Sequence, residues 1–296
     1  MEEKPFKMFF FGGYITKDVL LCNDSFIYDS EDNIFTEVKN SNDDEIPYQR
    51  TDHSLVSHEE NIYLFGGLGA NKVIFGDFKK INTKTCQWKT IKGEGAFIKP
   101  RFGHAVGLYS GSMFLFGGWD GKNCLNDLYQ YSFLTNIWYD LKATLGENPC
   151  PRYRHEGIVY KNSFYIFGGV DEKQTRFNDV YQFFFERKEW KKIIASGCAP
   201  TPRTFHRVTT YGNLMISVGG FDGERKNDIY FLALDTKENF DEEKFSLSRT
   251  VSFREENEHS SKKISDSTII QILSKQVKEL SEKLQVEEER HLCKVF

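Results

Sequence analysis

The sequence has few of the features that usually carry chemistry. Its six cysteines, at positions 22, 86, 124, 150, 198 and 293, form no C-x-x-C pair and no zinc-ligand spacing. No stretch approaches the ~20 apolar residues of a membrane helix. No Lys/Arg run supplies the basic stripe that counterion release on nucleic acid requires. The 39 basic and 43 acidic residues leave a net charge of only −4, so no nucleic-acid partner is expected. The opening MEEKPFKMFFFGG is acidic and its apolar run is too short for a signal peptide. These traits predict a cytoplasmic protein with reduced thiols. No G-x-S-x-G, P-loop, H-E-x-x-H or G-x-G-x-x-G stands in the context that would make it catalytic.

What the chain does have is aromatic residues and glycine. Phe and Tyr number 27 and 14, and Gly 23, a balance that suits many short twisted strands. These residues recur with a period. Gly-Gly pairs stand at Gly12-Gly13, Gly66-Gly67, Gly117-Gly118, Gly168-Gly169 and Gly219-Gly220, the last four spaced by 51 residues. An R-x-x-H precedes each of those four: Arg50/His53, Arg101/His104, Arg152/His155 and Arg203/His206. After each Gly-Gly comes a short loop and then Asp24, Asp77, Asp127, Asp179 or Asp228. An aromatic follows two residues later in four units (Phe26, Tyr129, Tyr181, Tyr230), and Phe35, Trp88, Trp138 or Trp190 closes the unit.

Each unit holds four short runs of strand character; in the third they are HAVGLY, SMFLFGG, DLYQYSF and IWYDLKA. A four-stranded sheet with two apolar faces cannot stand alone. Packing such sheets radially, face against face, gives a β-propeller. At this point the sequence resembles the kelch-repeat family, through the Gly-Gly, the spaced Tyr and Trp, and the P-R-x-x-H entries, over about residues 5–245. These motifs look like those of the longer-repeat kelch proteins, such as the Rab-effector, cell-end polarity and leucine-zipper-like regulator types. The resemblance implies an all-β propeller of about five four-stranded blades, used as a non-enzymatic scaffold or adaptor for protein partners in cytoskeletal, polarity or vesicle-traffic signalling. No BTB domain is present in the sequence, so a cullin-ligase-adaptor role is not supported. The copper kelch oxidases and iron-using specifier proteins would need ligand constellations that have no match here. No cofactor, catalytic residue or metal ligand is expected, and a metal-dependent enzyme is the remoter alternative.

The units fall at about 1–47, 48–98, 99–149, 150–200 and 201–245 within a propeller domain of 1–253. The first unit has no R-x-x-H or inner strand ahead of MFFFGG. The segment FSLSRTVSF (245–253) alternates Phe245, Leu247, Arg249, Val251 and Phe253 with small hydroxyl residues. It is read either as the strand that closes the first blade or as a linker. It also contains an L-x-R-x-x-S kinase pattern ending at Ser252. A linker (254–264) leads to an amphipathic stretch over 265–290. There Ile270, Leu273, Val277, Leu280 and Leu284 form an a/d seam, suited to a parallel homodimer or to a helix docked on a surface. The tail 291–296 ends Cys293-Lys-Val-Phe, a C-a-a-X pattern of geranylgeranyl type, although Lys294 is not aliphatic. Prenylation of Cys293 would give a membrane-tethered small-GTPase effector, the second functional reading. Membrane association is expected only in that case.

Residues that recur in every unit read as framework: the Gly-Gly pairs, the four Arg, the four His, and Trp88, Trp138 and Trp190. A metal would need ligands converging within about 2–2.5 Å of one point, whereas equivalent residues around a ring stand apart. Residues that differ between units are the candidates for recognition. Trp119, Asp120, Phe221, Asp222 and Arg225, in loops after Gly-Gly, combine aromatic anchors with charge. The competing reading is that these aromatics fold back over the blades.

Overall fold

The computed structural model describes residues 5–15, 20–39, 45–142 and 145–234. The expected closing segment 245–253, the linker, the amphipathic helix, Ser252 and Cys293 all lie outside these residues. The described chain is all-β, five sheets in sequence order around one axis, a five-bladed propeller. Blade 1 contains β1 (Lys7–Ile15), β2 (Leu20–Asp29) and β3 (Ile34–Glu37). Blade 2 contains β4 (Ser54–His58), β5 (Asn61–Leu68), β6 (Ile74–Asn82) and β7 (Trp88–Thr90). A two-residue strand, β8 (Glu94–Gly95), leads into blade 3: β9 (Ala105–Tyr109), β10 (Ser112–Trp119), β11 (Cys124–Ser132) and β12 (Ile137–Asp140). A second, β13 (Leu145–Gly146), leads into blade 4: β14 (Glu156–Tyr160), β15 (Ser163–Phe167), β16 (Val180–Phe184) and β17 (Glu189–Ile193). Blade 5 contains β18 (Arg207–Tyr211), β19 (Leu214–Phe221) and β20 (Arg225–Ala233).

Among the described residues, the uniform four-stranded blade expected from the repeat is met only in blade 2. Blades 3 and 4 each gain a fifth strand, because β8 pairs parallel with β12 and β13 with β17. These straps cross the backbone of the blade's tryptophan, with Ala96 donating to the Trp138 carbonyl (2.9 Å) and Glu147 to that of Trp190 (3.1 Å). A Cβ at Gly93 would stand 2.7 Å from the Trp138 ring, which is why glycine leads the first strap. A unit cut at 98/99 or 149/150 therefore separates a strap from the sheet it completes.

The core lies between blades rather than within them. Inner-strand positions one, three and five face the next blade, and positions two and four the previous one. Ala105 and Tyr109 accordingly pack with the blade 3–4 cluster, and Val106 with that of blades 2–3. Each tryptophan faces back: Trp88 meets Phe9 and Phe11, Trp138 meets Phe65 and Phe78, and Trp190 meets Phe116. All three are nearly inaccessible, at 0%, 5% and 2%. Phe35, at the corresponding place in blade 1, is 62% exposed, because no described residue covers that face.

Candidate functional site

The repeated residues build one latch in each of blades 2 to 5. Arg50, Arg101, Arg152 and Arg203 are completely buried. Each guanidinium forms a forked pair with the recurring aspartate of its blade: Arg50–Asp77 at 2.6 and 2.9 Å, Arg101–Asp127 at 2.5 and 2.9 Å, Arg152–Asp179 at 2.5 and 3.2 Å, Arg203–Asp228 at 2.5 and 2.9 Å. The same guanidinium donates to the first Gly carbonyl of the pair, at Gly66, Gly117, Gly168 or Gly219. It also reaches back two residues to a main-chain carbonyl, so the buried charge is matched by acceptors on several sides. Asp24 of blade 1 is exposed.

Glycine then joins neighbours. The second Gly of the first four pairs donates to the carbonyl of the next blade's arginine: Gly13 to Arg50, Gly67 to Arg101, Gly118 to Arg152 and Gly169 to Arg203, at 2.8–2.9 Å. At Gly117 φ is +65°, and a Cβ would lie 2.9 Å from the Arg152 carbonyl oxygen, so glycine is required twice over.

The four histidines complete the latch. Each ring stands edge-on to the Phe before Gly-Gly in the preceding blade: His53 on Phe11, His104 on Phe65, His155 on Phe116, His206 on Phe167, at 4.7–5.5 Å between centroids. His104 Nε2 meets the Ser54 hydroxyl at 2.7 Å, and His206 Nε2 the Phe167 carbonyl at 3.2 Å. Burial, with the neighbouring Arg in support, keeps all four neutral. His53 is pushed down to about 3, and His104 and His155 well below the usual imidazole range. His206 is lowered to about 4, chiefly by burial. Among the described residues, no three His, Cys, Asp or Glu side chains converge on a point that would hold a metal.

The residue after each Arg bridges to the residue after Gly-Gly: Thr51 with Leu68, Phe102 with Trp119, Tyr153 with Val170, Thr204 with Phe221. Both sets of loops therefore open on one end of the propeller. The loop residues singled out for recognition are placed unequally there. Trp119 is half-buried, 5.6 Å from the Tyr153 ring, in a cluster with Phe102, Cys124 and Val170. It folds over onto blade 4. Asp120 shapes its own turn, accepting from the Lys122 and Asn123 amides at 2.9 and 2.7 Å. Asp222 does likewise in blade 5, accepting from the Glu224 amide; the Thr201 hydroxyl and then Lys226 hold its carboxyl down at about 2. Phe221 is half-buried under the Arg176 guanidinium, and Arg225 is exposed.

A second group stands at the axis on this end: Asp52, Gly103, Arg154 and Phe205, the third residues of the four R-x-x-H motifs. All four adopt left-handed backbone, with φ between 54° and 64°. Gly103 donates to the Asp52 carbonyl (2.8 Å) and Arg154 to that of Gly103 (2.6 Å), so the inner turns climb round the axis. Arg154 crosses from blade 4 to the Asp52 carboxylate of blade 2 at 2.8 Å, and its guanidinium lies 4.3 Å from the Phe205 ring. Beside them Arg207 pairs with Glu156, whose carboxyl burial pushes upward, with Arg207 opposing. These side chains line a cavity of about 80 Å³. Phe205 is 48% exposed and the Arg207 side chain 84%. The motif reading passed over this group, although the signal was in the sequence. Inside a strict R-x-x-H the third place reads Asp, Gly, Arg, Phe, and the place after His reads Ser, Ala, Glu, Arg.

Radial sheets joined by Arg–Asp latches and Gly-Gly contacts define a repeat propeller. The chain belongs to the kelch-repeat family: the model of the KLHDC2/KLHL20/DRC7 Kelch-repeats domain matches residues 5–145 and 135–262. Domains of this family are typically non-enzymatic protein-interaction domains. Similar proteins include the Leucine-zipper-like transcriptional regulator 1 homolog of Drosophila melanogaster, 35% identical over 54% of this chain and 17% of that protein. Acyl-CoA-binding domain-containing protein 4 of Arabidopsis thaliana is 30% identical over 58% of the chain and 26% of its own length. Host cell factor 1 of Homo sapiens is 30% identical over 60% of the chain and 10% of its own length. The chain thus spans about a quarter or less of these relatives.

Proposed function

We propose that the chain is a protein-interaction platform whose binding end carries the R-x-x-H turns and the loops after Gly-Gly. One observation supports this most. In a frame that repeats residue for residue, the accessible positions around the axis on that end are the ones that vary, and they are charged or aromatic. Phe205, Arg207 and Arg225 offer an exposed ring and two cations to a protein partner, while Asp52–Arg154 and Glu156 hold the floor beneath them. Framework residues are buried and spoken for, so recognition falls to these few.

Phe205→Asn with Arg207→Gln tests the reading, since Asn tolerates the left-handed backbone at 205. Affinity capture should lose a specific partner that the unaltered chain retains, with the unfolding temperature unchanged. An identical set of partners would place recognition elsewhere. Roles in cytoskeletal, polarity or vesicle-traffic signalling, homodimerisation through 270–284 and prenylation at Cys293 remain part of the same proposal. They concern residues beyond those described, or partners that the fold does not name. No helix among the described residues is long and apolar enough to cross a membrane. Membrane tethering would follow from prenylation of Cys293, which intact mass from a eukaryotic host tests.

A further inference from the structure

The place two residues before each latch arginine differs from blade to blade: Tyr48, Lys99, Cys150 and Thr201. In blades 3 and 5 its side chain reaches the aspartate that stands two places after Gly-Gly. The Lys99 ammonium lies 3.4 Å from Asp120, and the Thr201 hydroxyl donates to Asp222 at 2.7 Å. Thr201 is distinguished further by what surrounds it. Of the 7 prolines, only Pro202 follows a Ser or Thr. A proline there biases Thr201 to extended backbone, the form in which a substrate chain enters a kinase cleft. Thr201 and Pro202 are exposed, as are residues 194–199 ahead of them. Thr201 lies outside the strands, so a kinase reaches it without unpairing a sheet.

We propose that Thr201 is a phosphorylation site for a proline-directed serine/threonine kinase, and that its phosphate exchanges the partners of the loop after Gly219-Gly220. In the transfer, Thr201 Oγ1 bonds the γ-phosphorus of ATP and the bond from that phosphorus to the bridging oxygen breaks. ADP leaves, and the hydroxyl proton passes to the kinase's base. The unmodified hydroxyl sits at the centre of a small network. It accepts from Arg203 at 3.1 Å while donating to Asp222. The Asp222 carboxylate also holds Lys226 at 3.0 Å and accepts from the Glu224 amide at 3.2 Å. A phosphate has no hydroxyl proton to give Asp222, and it sets a charge of about −2 against that carboxylate. Arg203 and Lys226 are the cations at hand. The more highly charged oxyanion takes Lys226, and Asp222 turns away. Asp222 shapes the turn between β19 and β20, so the spacing of Phe221 and Arg225 loosens with it. The effect on a partner rests on the function proposed above; the modification and the exchange do not.

The full-length chain, incubated with Mg·ATP and a proline-directed kinase, should carry a phosphate on Thr201 by peptide mass mapping. Pro202→Ala should lower that labelling at least tenfold. No phosphate on Thr201, or equal labelling of Pro202→Ala, would overturn the site. On the phosphorylated chain, phosphorus NMR follows the second ionisation of the phosphate. It should titrate below its ordinary value of about 6, because Lys226 favours the dianion, and Lys226→Met should raise it. A value at or above about 6, or one that Lys226→Met leaves unchanged, would mean that Asp222 keeps its place and would overturn the exchange. Neither measurement uses a partner, so this inference and the proposed function fail separately. A completed exchange that leaves the captured partners unaltered would count against the binding end and leave the site standing.

Discussion

Arg152 shows how a single residue can hold a blade. Its guanidinium is buried, forked onto Asp179, and donates to the carbonyls of Gly168 and Cys150. Asp179→Asn keeps the shape but removes the charge, leaving a buried cation under-matched. A loss of about 3–5 kcal/mol is expected in chemical denaturation. A loss below about 1 kcal/mol would mean the pair is solvated. The aspartates of the loops are of another kind. Asp120 and Asp222, recognition candidates in the sequence, also make the turns they sit in, a role that Asp two or three residues before the donating amides often takes. That turn chemistry is legible in D-G-K-N and D-G-E, where Asp precedes Gly.

At the scale of the blade, equal places in the repeat are not energetically equal. Trp138 is sealed between Phe65, Phe78 and Tyr131 beneath the β8 strap. Trp138→Ala should cost about 3–5 kcal/mol in the unfolding free energy. Phe35 occupies the same place in blade 1, where among the described residues its ring meets those of Phe10 and Tyr28 of its own sheet and it stays 62% exposed. Phe35→Ala should cost under about 1 kcal/mol by the same measurement. Equal losses would show that the open face of blade 1 is covered in solution. The straps belong to this scale too. Two residues of parallel pairing carry no periodic signal, so K-G-E-G and L-G-E-N read as connections.

For the whole molecule, the four latch histidines set a pH limit. Their folded values lie below the ordinary 6.5, so the folded state binds fewer protons than the unfolded chain. Stability is therefore fully present above about pH 6.5 and declines as pH falls towards the folded values, about 3 for His53 and about 4 for His206. Each group removes about 1.4 kcal/mol per pH unit, and four together about 5, a slope that a marginally stable fold withstands for only one or two units. Glu156, raised by burial, acts in the opposite sense, but it is one group against four. Tryptophan fluorescence should report cooperative unfolding near pH 5. A stability that stays flat from pH 7 to pH 5 would contradict the buried, neutral latch.

The sequence alone determined the number of blades, their main antiparallel strands and the identity of the latch residues, because a period repeated four times acts as its own alignment, whereas the β8 and β13 straps lay outside that period. Arg, Asp, His and Gly-Gly recur where geometry leaves no alternative. Two things were decided only by the tertiary structure. One is which repeat positions are covered: burial depends on a neighbouring blade, and Trp138 is packed by one where Phe35, among the described residues, is left exposed. The other is what stands together at the axis. Asp52 and Arg154 are 102 residues apart, and only the closing of sheets around an axis brings their side chains to 2.8 Å. Periodicity reports what every blade shares. The binding end is made of what they do not share, and only the ring brings those residues to one place.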